Sequence, residues 1–99
     1  MDHTDHVALL RGGIPQPGGI WADLGSGRGA FTLALAELVG PKARIYSVDR
    51  DRSALREQAR VLRERFPQVD VRQIEADFSR PLDLPPLDGL VIANALHFF

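Results

Sequence analysis

The sequence has no cysteine, which excludes disulfide staples, thiolate nucleophiles and cysteine-ligated metals. It has no apolar run near the ~20 residues that a membrane-spanning helix needs. It lacks an excess of either charge. Twelve Lys and Arg stand against 13 Asp and Glu, for a formal net charge of −1. A balance of that kind gives no bulk attraction to nucleic acid or to an anionic membrane surface. The opening MDHTDHVALLRGG lacks the basic start of a secretory signal, so the expected compartment is the cytoplasm. Internal repeats and low-complexity tracts are absent as well.

What is present is ordinary for one small globular domain: 99 residues, 44% apolar and 25% charged. A chain of this length buries roughly 60–65% of the surface it exposes when unfolded. Asp5 to Arg11 is expected to form a short helix, with Val7, Leu9 and Leu10 as its apolar contribution. GGIPQPGG then breaks regular structure, because its glycines and prolines do not suit an element interior. Ile20 to Leu24 reads as a buried strand, and Ala30 to Val39 as a helix stopped by Gly40-Pro41. Ala43 to Asp49 carries the β-branched and aromatic residues of a second strand.

Asp51 is a natural N-cap for a helix running to Phe66 and stopped by Pro67. Leu55, Ala59, Leu62 and Phe66 share one face of that helix. Arg52, Arg56, Arg60 and Arg63 fall towards the other, which reads as a solvated surface. Val69 to Ile74 reads as a third strand at an edge, followed by the proline-punctuated FSRPLDLPPLD. Leu90 to Ala93 is the fourth strand. Strands alternating with helices predict an α/β fold, a Rossmann-like parallel sheet with right-handed crossovers and helices on both faces. One domain covers residues 1–99, with an N-terminal helix and loop over 1–19 and the Rossmann-like core over 20–99.

The chemistry concentrates where strands end. In an open parallel sheet, ligands bind beyond the carboxyl ends of the strands, near the point where strand order reverses. Asp23, Asp49 and Asp77 stand at or just past such ends. Gly25, Gly27 and Gly29 permit a tight turn and close backbone approach by a ligand. The helix that follows offers unpaired N–H groups and a positive dipole end. Asp49 lies 24 residues after Gly25, a separation that suits a carboxylate accepting hydrogen bonds from two ribose hydroxyls.

Two ligand classes fit this pattern. GSGRGA satisfies the dinucleotide fingerprint G-x-G-x-x-G/A, which predicts a nicotinamide dinucleotide. A pyrophosphate at the turn would, however, meet an opposing carboxylate at Asp23. S-adenosylmethionine carries a sulfonium and an ammonium against one carboxylate, and acidic strand ends suit it better. Arg28 and Arg50 weigh the other way, since Arg50 beside Asp49 would suit a 2′-phosphate, although Asp49 would then oppose that phosphate. Each residue also has a plainer reading. Asp77 could simply cap the following turn, and Phe78 could belong to the core.

Taken together, these residues resemble the class I S-adenosylmethionine-dependent methyltransferases. WADLGSGRGAF is similar to the family's first motif, YSVDRD to its second, EADF to the loop after strand three, and DGLVIANALHFF to its fourth-strand motif. The resemblance covers about Val7 to Phe99. It implies that Gly25, Ser26, Gly27 and the turn backbone pack against the methionine part of the cofactor, with Asp23 near its ammonium. It implies that Asp49 holds the ribose hydroxyls, with Arg50 along the adenine. Asp77 would accept from the adenine amino group, the Phe78 N–H would meet a ring nitrogen, and Asn94 would contact the methionine end. The catalytic base and the methyl acceptor are not identified, and the balanced charge argues against a nucleic acid acceptor. His97, beside Phe98 and Phe99, reads as a packing residue before a general base. His3 and His6 read as part of a mobile terminus and not as metal ligands.

The family's sheet usually has seven strands in the order 3-2-1-4-5-7-6, and this chain stops just after the fourth. The resemblance therefore implies the cofactor half of a methyltransferase, truncated in the order 3-2-1-4. The edge of strand four would be left open to self-association or to a partner chain. A non-catalytic module that keeps only the fold is the remaining alternative.

Overall fold

In the computed structural model the described residues are 2–77 and 79–92, so Phe78, Ala93, Asn94 and His97 lie outside them. The chain runs through α1 (His3–Arg11), β1 (Gly19–Leu24), α2 (Ala30–Val39), β2 (Ala43–Asp49), α3 (Arg52–Arg65), β3 (Asp70–Glu75) and β4 (Gly89–Val91). The four strands form one parallel sheet, as the alternation of strands and helices predicts, in the order β3-β2-β1-β4 that the resemblance implies.

Each element forms for a local reason. The N-terminal helix begins at His3 and not at Asp5, because Asp2 and Asp5 close a reciprocal capping box on its first turn. It is not a loose terminus. His3 Nε2 meets Glu37 Oε1 at 2.9 Å, and the His6 ring lies 4.6 Å from that of Phe31, so both histidines help hold α1 to α2. Asp51 caps α3 as expected, its side chain accepting from the Ala54 N–H at 3.1 Å. Arg52, Arg56, Arg60 and Arg63 are exposed, and Arg60 pairs with both Glu57 and Glu64.

One face of the sheet carries Trp21, Ala43, Ile45 and Val71. These pack against Leu35, Ala36 and Val39 of α2 and Leu62 of α3. Full burial of a side chain such as Leu35 or Ile45 stabilises by roughly 1.5–3 kcal/mol. The β1-α2-β2-α3-β3 path steps in a single direction across the sheet. Right-handed crossovers therefore place α2 and α3 on this same face. The opposite face presents Ala22 and Val48, both fully buried, and Leu90, which is 51% exposed.

The fourth strand is fastened by two unusual contacts. Asp88 takes the Ile20 N–H on its side chain and gives its own N–H to the Ile20 carbonyl, both at 2.7 Å. Gly89 lies so close to the Trp21 indole that a Cβ there would overlap the ring. Among the described residues β4 pairs with β1 alone, so its outer edge is free of a strand partner.

Candidate functional site

The glycine turn leaves β1 at Leu24 and enters α2 at Ala30, beside the carboxyl end of β2. Its first residues are tied to β2, since the Gly25 and Ser26 N–H groups both donate to the Val48 carbonyl, at 2.8 and 3.0 Å. The turn closes through the Gly29 N–H on the Ser26 carbonyl at 2.9 Å. Gly29 is the N-cap of α2 with φ 91°, a left-handed conformation that favours glycine, and it supplies no capping side chain. Gly27, at φ 55°, has open space where a Cβ would point. A ligand can therefore approach its backbone without meeting a side chain.

Asp49 lies against this turn. Its Oδ2 accepts from the Gly27 N–H and its Oδ1 from the Asp51 N–H, each at 2.8 Å. Each carboxylate oxygen has two lone-pair directions, so one remains on each oxygen for a further donor. Arg50 is exposed next to it. Asp77 is exposed as well, and its Oδ1 accepts from both the N–H and the hydroxyl of Ser79, at 3.0 and 2.7 Å. Those bonds hold its carboxyl below the usual carboxylate range. They make Asp77 a turn cap, and its Oδ2 has no part in those two bonds.

Asp23 occupies a different place from the other two carboxylates. It is only 1% exposed, beneath the turn, with Oδ2 2.7 Å from the Thr32 hydroxyl and Oδ1 buried without a hydrogen-bond partner. Desolvation pushes its pKa up to about 7, the Thr32 hydrogen bond works against the rise, and the Asp49 charge adds to it.

Three polar residues under the turn carry no signal in the glycine motif. Thr32 Oγ1 is 3.1 Å from Ser47 Oγ, and the Ser47 hydroxyl donates to Gln58 Oε1 at 2.6 Å. Gln58 Nε2 then donates to Ser26 Oγ at 3.0 Å and to the Gly27 carbonyl at 2.9 Å. Thr32, Ser47 and Gln58 are all 0% exposed. Gln58 stands between Leu55 and Leu62 at spacings of three and four, inside the apolar stripe of α3. A polar residue at such a position was the available signal.

A glycine turn opening a helix, with a carboxylate presented beside it from the end of the next strand, defines a Rossmann-like domain suited to a nucleoside-containing ligand. The methyltransferase domain family matches residues 16–96, and the chain belongs to that family.

Among curated proteins the chain is 41% identical over 59 residues to the ribosomal RNA small subunit methyltransferase H of Paracidovorax citrulli (strain AAC00-1). That stretch is 60% of this chain and 19% of the relative, so the chain spans a small part of that relative's length. Among solved structures it superimposes on coclaurine N-methyltransferase bound to N-methylheliamine and SAH with a TM-score of 0.79. There it is 23% identical and covers 91% of this chain and 26% of that one. A SAM-dependent O-methyltransferase from Thermotoga maritima gives a TM-score of 0.72 at 21% identity, covering 90% of this chain and 32% of that one. At these identities the likeness concerns the fold. No helix among the described residues is long and apolar enough to cross a membrane, and no group of three or more metal-ligating side chains occurs among them.

Proposed function

We propose that this chain is the S-adenosylmethionine-binding part of a methyltransferase, with residues 1–99 acting as one unit. The observation that carries the reading is the placement of Asp49. Its carboxylate meets the Gly27 N–H at 2.8 Å, beside the open space at Gly27, and retains one lone-pair direction on each oxygen. A ribose with two adjacent hydroxyls fits that donor-poor, acceptor-rich position.

The residues present fit the rest of the cofactor. The backbone of Gly25, Ser26 and Gly27 lines the methionine portion, and the uncapped start of α2 suits its carboxylate. Asp23 supports the turn from below and, being buried, stands near the ammonium without touching it. Asp49 holds the ribose, Arg50 lies along the adenine, and Asp77 meets the adenine amino group through Oδ2. Phe78 and Asn94, outside the described residues, keep the roles that the resemblance implies: a backbone N–H to a ring nitrogen and a backbone contact at the methionine end.

The cofactor supplies a methyl group made labile by the sulfonium. The chain supplies position, and orientation of two reactants lowers a barrier by on the order of 7–11 kcal/mol. The outer edge of β4 is the natural place for a further strand or a partner chain to add, because among the described residues β4 pairs with β1 alone.

Calorimetric titration with S-adenosylmethionine and S-adenosylhomocysteine, with NAD as the comparison ligand, tests the reading. The expected result is binding of the first two that weakens at least tenfold in Asp49→Ala, with NAD weaker than either. Tighter binding of NAD, or no binding of the sulfur compounds by the folded chain, would overturn it.

A further inference from the structure

Below the glycine turn, four oxygen or amide groups follow one another at hydrogen-bond distance, from Asp23 through Thr32 and Ser47 to Gln58. The orientation of the Gln58 amide is fixed by its far end. Its NH2 meets Ser26 Oγ and the Gly27 carbonyl, and a flipped amide would set an oxygen against that carbonyl. Gln58 Oε1 must therefore accept, and it takes the Ser47 hydroxyl at 2.6 Å and the Gln73 amide at 3.4 Å. The Ser47 proton is thereby committed.

The remaining oxygens decide the state of Asp23. The contacts Asp23 Oδ2 to Thr32 Oγ1 at 2.7 Å and Thr32 Oγ1 to Ser47 Oγ at 3.1 Å need two protons, and Thr32 brings one. With an ionised Asp23 the Thr32 proton turns to the carboxylate, and the Thr32–Ser47 contact is left as two facing lone pairs. With a neutral Asp23 every contact is filled in one direction, from Asp23 to Thr32, to Ser47, to Gln58. The partnerless Oδ1 agrees, because a buried carbonyl-type oxygen without a donor costs far less than a buried charged one.

We propose that Gln58 is a positioning residue for the cofactor turn, supported from behind by a one-way hydroxyl chain that starts at a neutral Asp23 carboxyl. It grips the turn at Ser26 and Gly27, two residues that the proposed function places against the cofactor, and the inference about affinity rests on that reading. Among the described residues, the Asp49 carboxylate at the end of β2 bears on Asp23 and opposes a second negative charge there. The elements around Asp23 present Thr32 from α2, Ser47 from β2 and Val91 from β4, and none of these is charged. Ionisation of Asp23 reverses the Thr32 hydroxyl and slackens the clamp on Gly27.

The test uses the full chain without ligand and then with S-adenosylhomocysteine. The carboxyl 13C shift of Asp23 should report a neutral acid at pH 5, and a shift typical of a carboxylate there would overturn the chain of donors. In Gln58→Leu, amide exchange at Gly27 and Gly29 should speed up at least tenfold while Ile45 and Val48 hold their protection. Unchanged turn exchange would overturn the positioning role. Asp23→Asn keeps a donor towards Thr32, so its turn protection should be flat from pH 5 to 8 while the natural chain loses protection. Equal pH dependence in the two would also overturn it. S-adenosylhomocysteine affinity should fall about tenfold in Gln58→Leu. If the exchange and shift results hold but the natural chain binds no S-adenosylhomocysteine, the clamp stands and the cofactor reading falls.

Discussion

Gly29 and Gln58 approach so closely that a Cβ on Gly29 would lie 2.7 Å from the Cβ of Gln58. The start of α2 and the middle of α3 therefore meet without room for a methyl group between them. Gly29 also has φ 91°, so two independent constraints fall on one residue. Gly29→Ala is expected to destabilise the chain by about 1–3 kcal/mol, from the backbone conformation and the forced separation of the helices. Urea unfolding followed by circular dichroism measures it, and a loss below about 0.5 kcal/mol would show that the helices separate freely.

Gly27 offers the opposite case. Its φ of 55° is within reach of other residues at modest cost, and a Cβ there meets nothing within 4 Å. Gly27→Ala should lower stability by only about 1 kcal/mol while projecting a methyl group into the space given to the cofactor. Binding of S-adenosylhomocysteine should weaken by tenfold or more. A variant that bound normally would place the ligand elsewhere on the turn.

How much of this could be read from residues alone differs between fold and site. The strand and helix order was legible because apolar runs such as Ile20 to Leu24 and Ile45 to Val48 are short and separated by glycine or proline. Asp51 announced its helix by local chemistry alone. The capping box of Asp2 and Asp5 was equally local, and it extends α1 beyond the expected start. The docking of His3 and His6 onto α2 was not legible, because Glu37 and Phe31 reach them only after the helices pack. The same holds for Gln58, whose partners at Ser26 and Gly27 lie 32 and 31 residues away. Asp23, Asp49 and Asp77 looked equivalent as strand-end carboxylates, and folding gives them three environments: buried, half-buried and exposed.

Asp88 and β4 give a prediction about the sheet. The side chain of Asp88 accepts the Ile20 N–H at 2.7 Å, an orphan donor at the start of β1. Asp88→Ala should cost about 1.5–2 kcal/mol, the lower part of the range for a hydrogen bond to a charged group, because the contact is exposed. Amide exchange should rise first at Ile20, Leu90 and Val91. Uniform acceleration across β2 and β3 would instead mean that Asp88 supports the whole sheet.

The raised pKa of Asp23 fixes the direction in which stability depends on pH. The unfolded carboxyl releases its proton near its ordinary value of 3.8, whereas the folded one holds it to about 7. Between those values the folded chain binds one more proton than the unfolded chain, so each rise in pH favours unfolding. The contribution is fully present below about pH 4, declines through pH 5 and 6, and is lost once the pH passes about 7. A separation of about three units corresponds to on the order of 4 kcal/mol across the window. Glu57, Asp70 and Asp77 have lowered values and act in the opposite sense, keeping their contribution above their ordinary carboxylate values and losing it as the pH falls through the acid end of that window and below it. Asp23→Asn removes the titration while keeping a hydrogen-bond donor for Thr32, so its stability should be level from pH 5 to 8 where that of the natural chain falls. Urea midpoints across that range, measured for both chains, decide the matter. Parallel curves would mean that Asp23 is ionised in the folded chain and that its buried charge is balanced by a group other than Thr32.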